Sequence, residues 1–509
     1  MSEQLALLPG YLNAHLQLTL AALLLGVLIS VPLGVLVARV RWLEQPVLGV
    51  ASVIQTVPSL ALLAIMVPLL AAARMPSIGF LPAFIGLVLY SVLPILRNTV
   101  TGLGTVDPAL IEAARGVGMT RRQRLLRVEL PLAMPVVIAG IRTATVWTVG
   151  MATLSTPVGA TSLGNYIFSG LQTRNLSAIL VGCVAAAGLA LVLDTLVRLV
   201  AVGLERRHRG ILGAALAALA LLYLYTGGTA ARELLQGRHE RIVVGAKTFT
   251  EQYILSDIIA GQIGHETGRR TEVAQSLGST VAIDALRAGD IDVYVDYTGT
   301  IWATLMHRDS SSTTNRSEIL GAVTRFLQQR YGVFVVGALG FENAYALAMR
   351  RKQAERLGIT RISDLARYAP TLSIGGDYEF FGRPEWRALR TKYGLKFAKQ
   401  RSMDSSLMYQ ALKQGNVDVI SAYSTDGRIA AMDLVVLDDD RGAIPPYDAL
   451  ILASARLEHR DPAVIDALKK LVDKIDGNTM RRMNFAVDGG GQSPRAVANR
   501  FLEGLWSKK

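Results

Sequence analysis

The pattern of apolar and polar positions changes character near residue 226. Residues 12–226 form long apolar runs with sparse charges, whereas residues 238–509 mix apolar, polar and charged positions as a soluble α/β domain does. Six runs approach the roughly 20 apolar residues that cross a bilayer: 16–38, 47–73, 78–96, 131–154, 176–203 and 210–226. The first starts too far from Met1, and without a basic leader, to read as a cleavable signal. Basic residues set the orientation. Arg39 and Arg41 follow the first run, and Arg97, Arg115, Arg121, Arg122, Arg124 and Arg127 follow the third. Arg206, Arg207 and Arg209 follow the fifth, while the alternate loops hold only Arg74 and Arg174. The basic loops are therefore expected on the cytoplasmic side, with the N-terminus and residues 238–509 outside. The expected division is a membrane domain over 1–226, a linker over 227–240 and an external domain over 241–509.

Several runs carry Pro or Gly (Pro58, Pro68, Pro94, Pro135, Gly140), which membrane helices tolerate where neighbours satisfy the freed backbone groups. No cluster of intramembrane carboxylates suggests a proton relay. Asp194, the only acidic residue well inside a run, is expected to pair with Arg198 one helical turn on.

The loop after the third run reads Glu112-Ala113-Ala114-Arg115-Gly116-Val117-Gly118, then a basic stretch, then Val128-Glu129-Leu130-Pro131. Asp107-Pro108 suits a capped first turn. Gly116 and Gly118 are expected to end that helix, a second helix spans Arg121–Val128, and Pro131 opens the next span. A purely topogenic basic loop would explain the arginines but not the Glu-Ala-Ala and Gly pattern. This segment resembles the EAA loop of binding-protein-dependent ABC importer permeases. The resemblance implies that Glu112, Ala113, Ala114 and Gly116 belong to a knob that docks on an ATPase and passes its motion to the helices. The chain has no Gly-x-x-x-x-Gly-Lys-Ser/Thr loop, so ATP hydrolysis is expected on a separate chain. Two permease copies are expected per assembly.

Beyond residue 241, short apolar strands (Ile242–Val244, Val293–Val295, Val333–Val336, Leu372–Ile374, Val417–Ile420) alternate with amphipathic helices, which predicts α/β architecture. About 270 residues exceed a typical single core, so two lobes are expected. An internal echo agrees. Ala285-Leu286-Arg287-Ala288-Gly289-Asp290-Ile291-Asp292-Val293 precedes Tyr297, and Ala411-Leu412-Lys413-Gln414-Gly415-Asn416-Val417-Asp418-Val419 precedes Tyr423. Ligands gather at the carboxyl ends of strands in open α/β sheets, so both tyrosines are expected at a shared cleft, although such helix-to-strand junctions also recur by chance.

Polar and aromatic strings stand at loop-like positions: Lys247-Thr248-Phe249-Thr250-Glu251-Gln252, Asp296-Tyr297-Thr298-Gly299-Thr300, Glu342-Asn343-Ala344-Tyr345, Asp377 to Arg383, Ala422 to Gly427, and Pro445-Pro446-Tyr447. They resemble the binding proteins of the osmoprotectant (glycine betaine, choline, carnitine) uptake family, in which permease and binding protein are also found fused. The resemblance implies a two-lobed, type II periplasmic-binding-protein-like domain. It places Tyr297, Tyr345, Tyr423 and Tyr447 in an aromatic cage around a quaternary ammonium. It places Lys247, Thr300 and Arg383 at the ligand carboxylate, Glu379 as the orienter of Arg383, and Asn343 in the cage wall. The chemistry is coherent, since a trimethylammonium has no hydrogen-bond donor and is held by ring faces, each contact contributing ~0.5–2 kcal/mol.

Composition changes the picture little. The net charge of +13 comes with arginines concentrated in the loops between apolar runs, so nucleic acid is not the expected partner. The single Cys183 permits no disulfide within the chain, the six histidines lack metal-ligand spacing, and no catalytic constellation stands out. No cofactor or metal is expected, and the chain reads as a transport subunit rather than an enzyme. Three readings stay open: an importer subunit for a zwitterionic or cationic quaternary amine, the same importer class for ergothioneine or an amino acid, and a membrane-anchored ligand sensor or channel. On the topology above, protease added outside intact cytoplasmic membranes should release the domain at 238–509; cleavage from the cytoplasmic side alone would overturn that orientation.

Overall fold

A computed structural model describes residues 2–73, 75–173, 175–235, 241–308 and 315–507. Arg74, Arg174 and residues 236–240 of the expected linker lie outside the described residues. The chain divides into two compact units, the membrane half and the soluble half.

The membrane unit is helical: α1 Ser2–Arg39, α2 Arg41–Thr56, α3 Ser59–Ala72, α4 Phe80–Gly104, α5 Pro108–Gly116, α6 Arg121–Arg124, α7 Leu130–Thr153, α8 Gly164–Gln172, α9 Leu176–Glu205 and α10 Arg209–Leu235. Helix α4 packs against both α1 and α7, and α9 against α7 and α10. Small residues bring the axes together, as is usual between membrane helices. A Cβ at Gly34 would lie 2.6 Å from the Thr99 side chain of α4, and one at Gly140 2.6 Å from that of Asn98.

Five described helices are long and apolar enough to cross a membrane, or six when the pair α2 and α3 counts as one span. That pair corrects the continuous helix expected over 47–73, because its halves meet at 98°. Pro58 is the cause: it cannot donate a backbone bond, and it holds Val57 extended at ψ 129°. Asp194 is a second correction. Its carboxylate takes both ends of the Arg142 fork across α7 and α9, each bond 2.9 Å, instead of pairing with Arg198 along its own helix.

The Glu-Ala-Ala loop forms a capped knob. Asp107 Oδ1 accepts from Ala109 N at 2.8 Å, α5 ends at Gly116, and Gly118 turns the chain at φ +80°. Thr120 and Gln123 cap α6 reciprocally. No new span opens at Pro131, since α6 runs into α7 through one wide turn at Leu125–Glu129 just ahead of that proline. Glu129 is buried between Arg124 (2.7 Å) and Arg39. Glu112, Ala113 and Gly116 are exposed, while Ala114 is buried.

The soluble unit has two five-stranded sheets, built from β1 Arg241–Lys247, β2 Arg270–Leu277, β3 Val293–Tyr297, β4 Val333–Glu342, β5 Tyr345–Arg350, β6 Ser373–Gly376, β7 Lys399–Ser402, β8 Val419–Tyr423, β9 Leu434–Val436 and β10 Asp448–Ser454. Strand order is β2-β1-β3-β10-β4 in one and β7-β6-β8-β5-β9 in the other. The two orders are one pattern. Three parallel strands are followed by an antiparallel strand that has crossed from the other lobe, β10 in the first and β5 in the second. This is the two-lobed type II arrangement.

The internal echo has a structural cause. Gly289 and Gly415 end helices 279–288 and 405–413 at φ +76° and +80°, a conformation that glycine adopts without steric penalty. Three residues on, Asp292 N donates to Val243 O and its carboxylate accepts from Val243 N at 2.9 Å. Asp418 does the same to Ser373, also at 2.9 Å through its carboxylate. Each aspartate thereby fixes the register of its strand against the parallel neighbour. Asp418 also accepts from Ser373 Oγ and Gln353. Asp418→Ala should therefore lower the stability of the second lobe by about 1–3 kcal/mol, read as a shift in the denaturant midpoint, and a shift under ~0.5 kcal/mol would deny it this role.

Candidate ligand site

The two lobes meet over a cleft of about 240 Å³. The end of β1 supplies Lys247 and Phe249, and the helix α11 (Thr250–Thr267) supplies Glu251 from its first turn. The segment joining β4 to β5 supplies Asn343, the end of β6 supplies Asp377, and the end of β8 supplies Tyr423 and Thr425.

Glu251 is buried at the meeting point of these segments. It accepts from Tyr297 Oη (2.6 Å), Asn343 Nδ2 (2.9 Å), Asn484 Nδ2 (3.0 Å) and Thr425 Oγ1. One lobe, the crossing segment, the other lobe and the C-terminal helix 477–488 are thus tied to one carboxylate. Burial pushes its carboxyl above the usual range, against the pull of these four donors.

Phe249, Tyr378 and Tyr423 line the cleft, and further rings are buried behind them. Tyr345 and Tyr423 have centroids 4.9 Å apart, and Tyr447 meets Tyr345 edge-on at 6.0 Å. Phe249 stacks on Tyr423 at 6.2 Å, with planes 6° apart, and reaches Tyr297 at 6.3 Å. Gly299 makes room for Tyr447, since a Cβ there would fall 2.3 Å from its ring. The structure therefore brings Tyr345, Tyr423 and Tyr447 together directly, and Tyr297 joins them through Phe249.

The basic residues are already matched. Lys247 Nζ pairs with buried Asp296 at 2.5 Å, and Asp296 also accepts from Tyr294 Oη. Arg383 lies 5.1 Å from the centre of the Tyr345 ring, and it contacts Glu385 at 3.2 Å, Glu379 at 3.4 Å and Tyr447 Oη at 3.4 Å. Glu379 is mostly exposed and Glu385 fully buried, so the principal holder of Arg383 is Glu385, which also accepts from Tyr447 Oη. Of the residues expected at the ligand, Lys247, Asn343, Glu379 and Tyr423 line the cleft, whereas Tyr297, Thr300, Tyr345, Arg383 and Tyr447 do not.

Six carboxylates line the cleft (Glu251, Asp377, Glu379, Asp404, Asp426, Asp488) against two cationic side chains, Lys247 and Arg428. Arg428 is itself forked onto Asp426 at 2.6 Å. The field in the cleft therefore favours a cation. Burial also raises the Asp377 carboxyl, offset by bonds from Glu379 N and Phe380 N. Among the described residues no cluster could hold a metal ion.

Sequence reasoning passed over Phe249, Glu251, Asp377 and Glu385. The first three lie inside the strings already singled out, but nothing in a string says which member faces the cleft. Glu385 gives no signal beyond its closeness to Arg383.

Residues 240–504 match the family described as the substrate binding domain of ABC-type glycine betaine transport systems. Residues 30–210 match the binding-protein-dependent transport system inner membrane component. The ergothioneine transport permease/ergothioneine binding protein EgtU of Helicobacter pylori is 30% identical over 471 residues, 90% of this chain and 83% of that protein. The choline transport system permease protein OpuBB of Bacillus subtilis is 46% identical over 180 residues, 35% of this chain and 80% of its own length. The carnitine transport binding protein OpuCC of Listeria monocytogenes is 32% identical over 268 residues, 52% of this chain and 86% of its own.

Removing Glu251 should loosen the lobes. Glu251→Ala leaves four donors without their acceptor and should reduce stability on the order of 2–3 kcal/mol. Because burial raises the carboxyl, its contribution is full below the unfolded pKa and is lost as pH rises through the folded one. Glu251→Gln should flatten that part of the stability–pH curve, and an unchanged curve would contradict the assignment.

Proposed function

The chain belongs to the fused permease and substrate-binding subunits of osmoprotectant-type ABC importers, and on that premise we propose that it captures a quaternary ammonium compound of the glycine betaine, choline or carnitine class and passes it through its own membrane unit. The observation that carries this reading is the ring pair Phe249 and Tyr423 at the surface of a cleft whose charged lining is mostly carboxylate, with Tyr345 and Tyr447 packed behind Tyr423. Ring faces and diffuse negative charge suit a cation without hydrogen-bond donors. Arg383 already rests on the Tyr345 face, so a cation is at home there. A ligand carboxylate is assigned to Arg383, where it competes with the exposed Glu379. Lys247 contributes less, because Asp296 already matches its charge.

The remaining parts of the machine follow. The knob with Glu112, Ala113, Ala114 and Gly116 docks on a separate ATPase chain, two copies of this chain pair in the bilayer, and with six spans and the basic loops on the cytoplasmic side the binding domain lies outside. A second reading keeps the machine and changes the cargo to ergothioneine, itself a betaine. It is favoured by the H. pylori ergothioneine transport protein, which matches this chain over 90% of its length.

Calorimetry on the binding domain tests the two ends of the ligand separately. Tyr423→Ala should weaken both choline and glycine betaine about tenfold, or ~1–2 kcal/mol, and Tyr423→Phe much less. Arg383→Ala should weaken glycine betaine by a further ~1.5–3 kcal/mol relative to choline, which has no carboxylate. The ratio is the readout, since general damage lowers both affinities alike, and an unchanged ratio would refute the two-ended site. Acidification through the raised Asp377 carboxyl removes a negative charge from the cleft, so choline affinity should fall as pH drops.

A further inference from the structure

Arg142 and Asp194 form an ion pair near mid-depth of the membrane unit. Arg142 lies 11 residues before the end of the continuous span Arg121–Thr153, about 17 Å at 1.5 Å per residue, against a hydrocarbon core of roughly 30 Å. Asp194 lies a turn beyond the middle of α9. Their fork is bidentate, Nε to Oδ1 and Nη2 to Oδ2, both 2.9 Å. Neither side chain is enclosed, since Arg142 keeps 37% of its surface exposed and Asp194 24%.

An ion pair open to acyl chains is costly, and charged side chains within spans face a bundle interior or a water-filled cavity. The open surface beside the pair is mixed, with Ala139, Thr143, Val146, Trp147 and Gly150 exposed on α7 and Gly188, Leu191, Val192 and Thr195 on α9. The pair lies half open between those helices, a setting that suits an aqueous path beside it rather than acyl chains. A zwitterion carries the same two charges as the pair. Its carboxylate fits the guanidinium fork, and its trimethylammonium needs only the nearby negative charge of Asp194.

We propose that the Arg142–Asp194 pair is a relay site on the translocation path, opening to bind a zwitterionic ligand end for end and closing again once it has passed. The chemical identity of the ligand rests on the function proposed above; the aqueous setting of the pair does not. The test uses the full chain in native membranes with its ATPase. In a Cys183→Ser background, which removes the exposed native thiol, Thr143→Cys should react with a charged, membrane-impermeant methanethiosulfonate at least tenfold faster than Leu180→Cys. Equal or slower reaction overturns the proposal whatever the ligand is. The neutral pair Arg142→Gln with Asp194→Asn should leave calorimetric binding of glycine betaine unchanged and cut its uptake at least tenfold. Uptake above half of the wild-type rate also overturns it. Absence of glycine betaine binding in the unmodified protein would instead count against the proposed cargo. If the neutral pair fails to reach the membrane, the labelling rates decide alone.

Discussion

A charge taken out of water must be matched, and this constraint organises both units of the chain. In the soluble unit Glu251 is matched by four donors, Lys247 by Asp296, Arg383 by Glu385 and Arg428 by Asp426. In the membrane unit Glu129 is matched by Arg39 and Arg124, and Asp194 by Arg142. Leaving one partner of such a pair alone in a low-dielectric interior is strongly destabilising. Each pairing therefore fixes where two segments of chain must meet. Glu251 fixes the most, because its donors come from both lobes, the crossing segment and a C-terminal helix.

That matching shapes the cleft chemically as well as mechanically. With Lys247 and Arg428 neutralised by their own partners, the lining is left with an excess of negative charge and with ring faces. Such a surface attracts a cation without needing to hydrogen-bond it. Arg383 is held among Tyr345, Tyr447 and Glu385, so the group assigned to an anion and the rings assigned to a cation share one support. A change at any member is felt at both ends of the site.

The soluble unit also uses one construction twice. In each lobe a helix ends on a left-handed glycine, and an aspartate three residues later locks the next strand to its parallel neighbour. A tyrosine then stands at that strand's far end. Exchange of β5 and β10 between the lobes places the two strand ends over one cleft. The tyrosines play unequal parts there: Tyr423 faces the cavity, while Tyr297 turns its hydroxyl to Glu251 and reaches the rings through Phe249.

The sequence alone determined what depends on local pattern. Long apolar runs mark membrane helices, and alternating strands and helices mark the α/β unit. The Asp107-Pro108 cap, the knob after it and the paired Gly-x-x-Asp-Val junctions could all be read from neighbours a few residues apart, because their cause is a backbone conformation or a bond within one turn. Tertiary structure decided whatever joins distant segments. It broke the second run at Pro58, turned Asp194 from Arg198 to Arg142, and gave Arg383 to Glu385 before Glu379. It also made Glu251 the knot of the cleft and set Phe249 between Tyr297 and Tyr423. A buried charge takes the partner that packing brings within reach, and spacing along the chain does not show which helix or lobe that partner will come from.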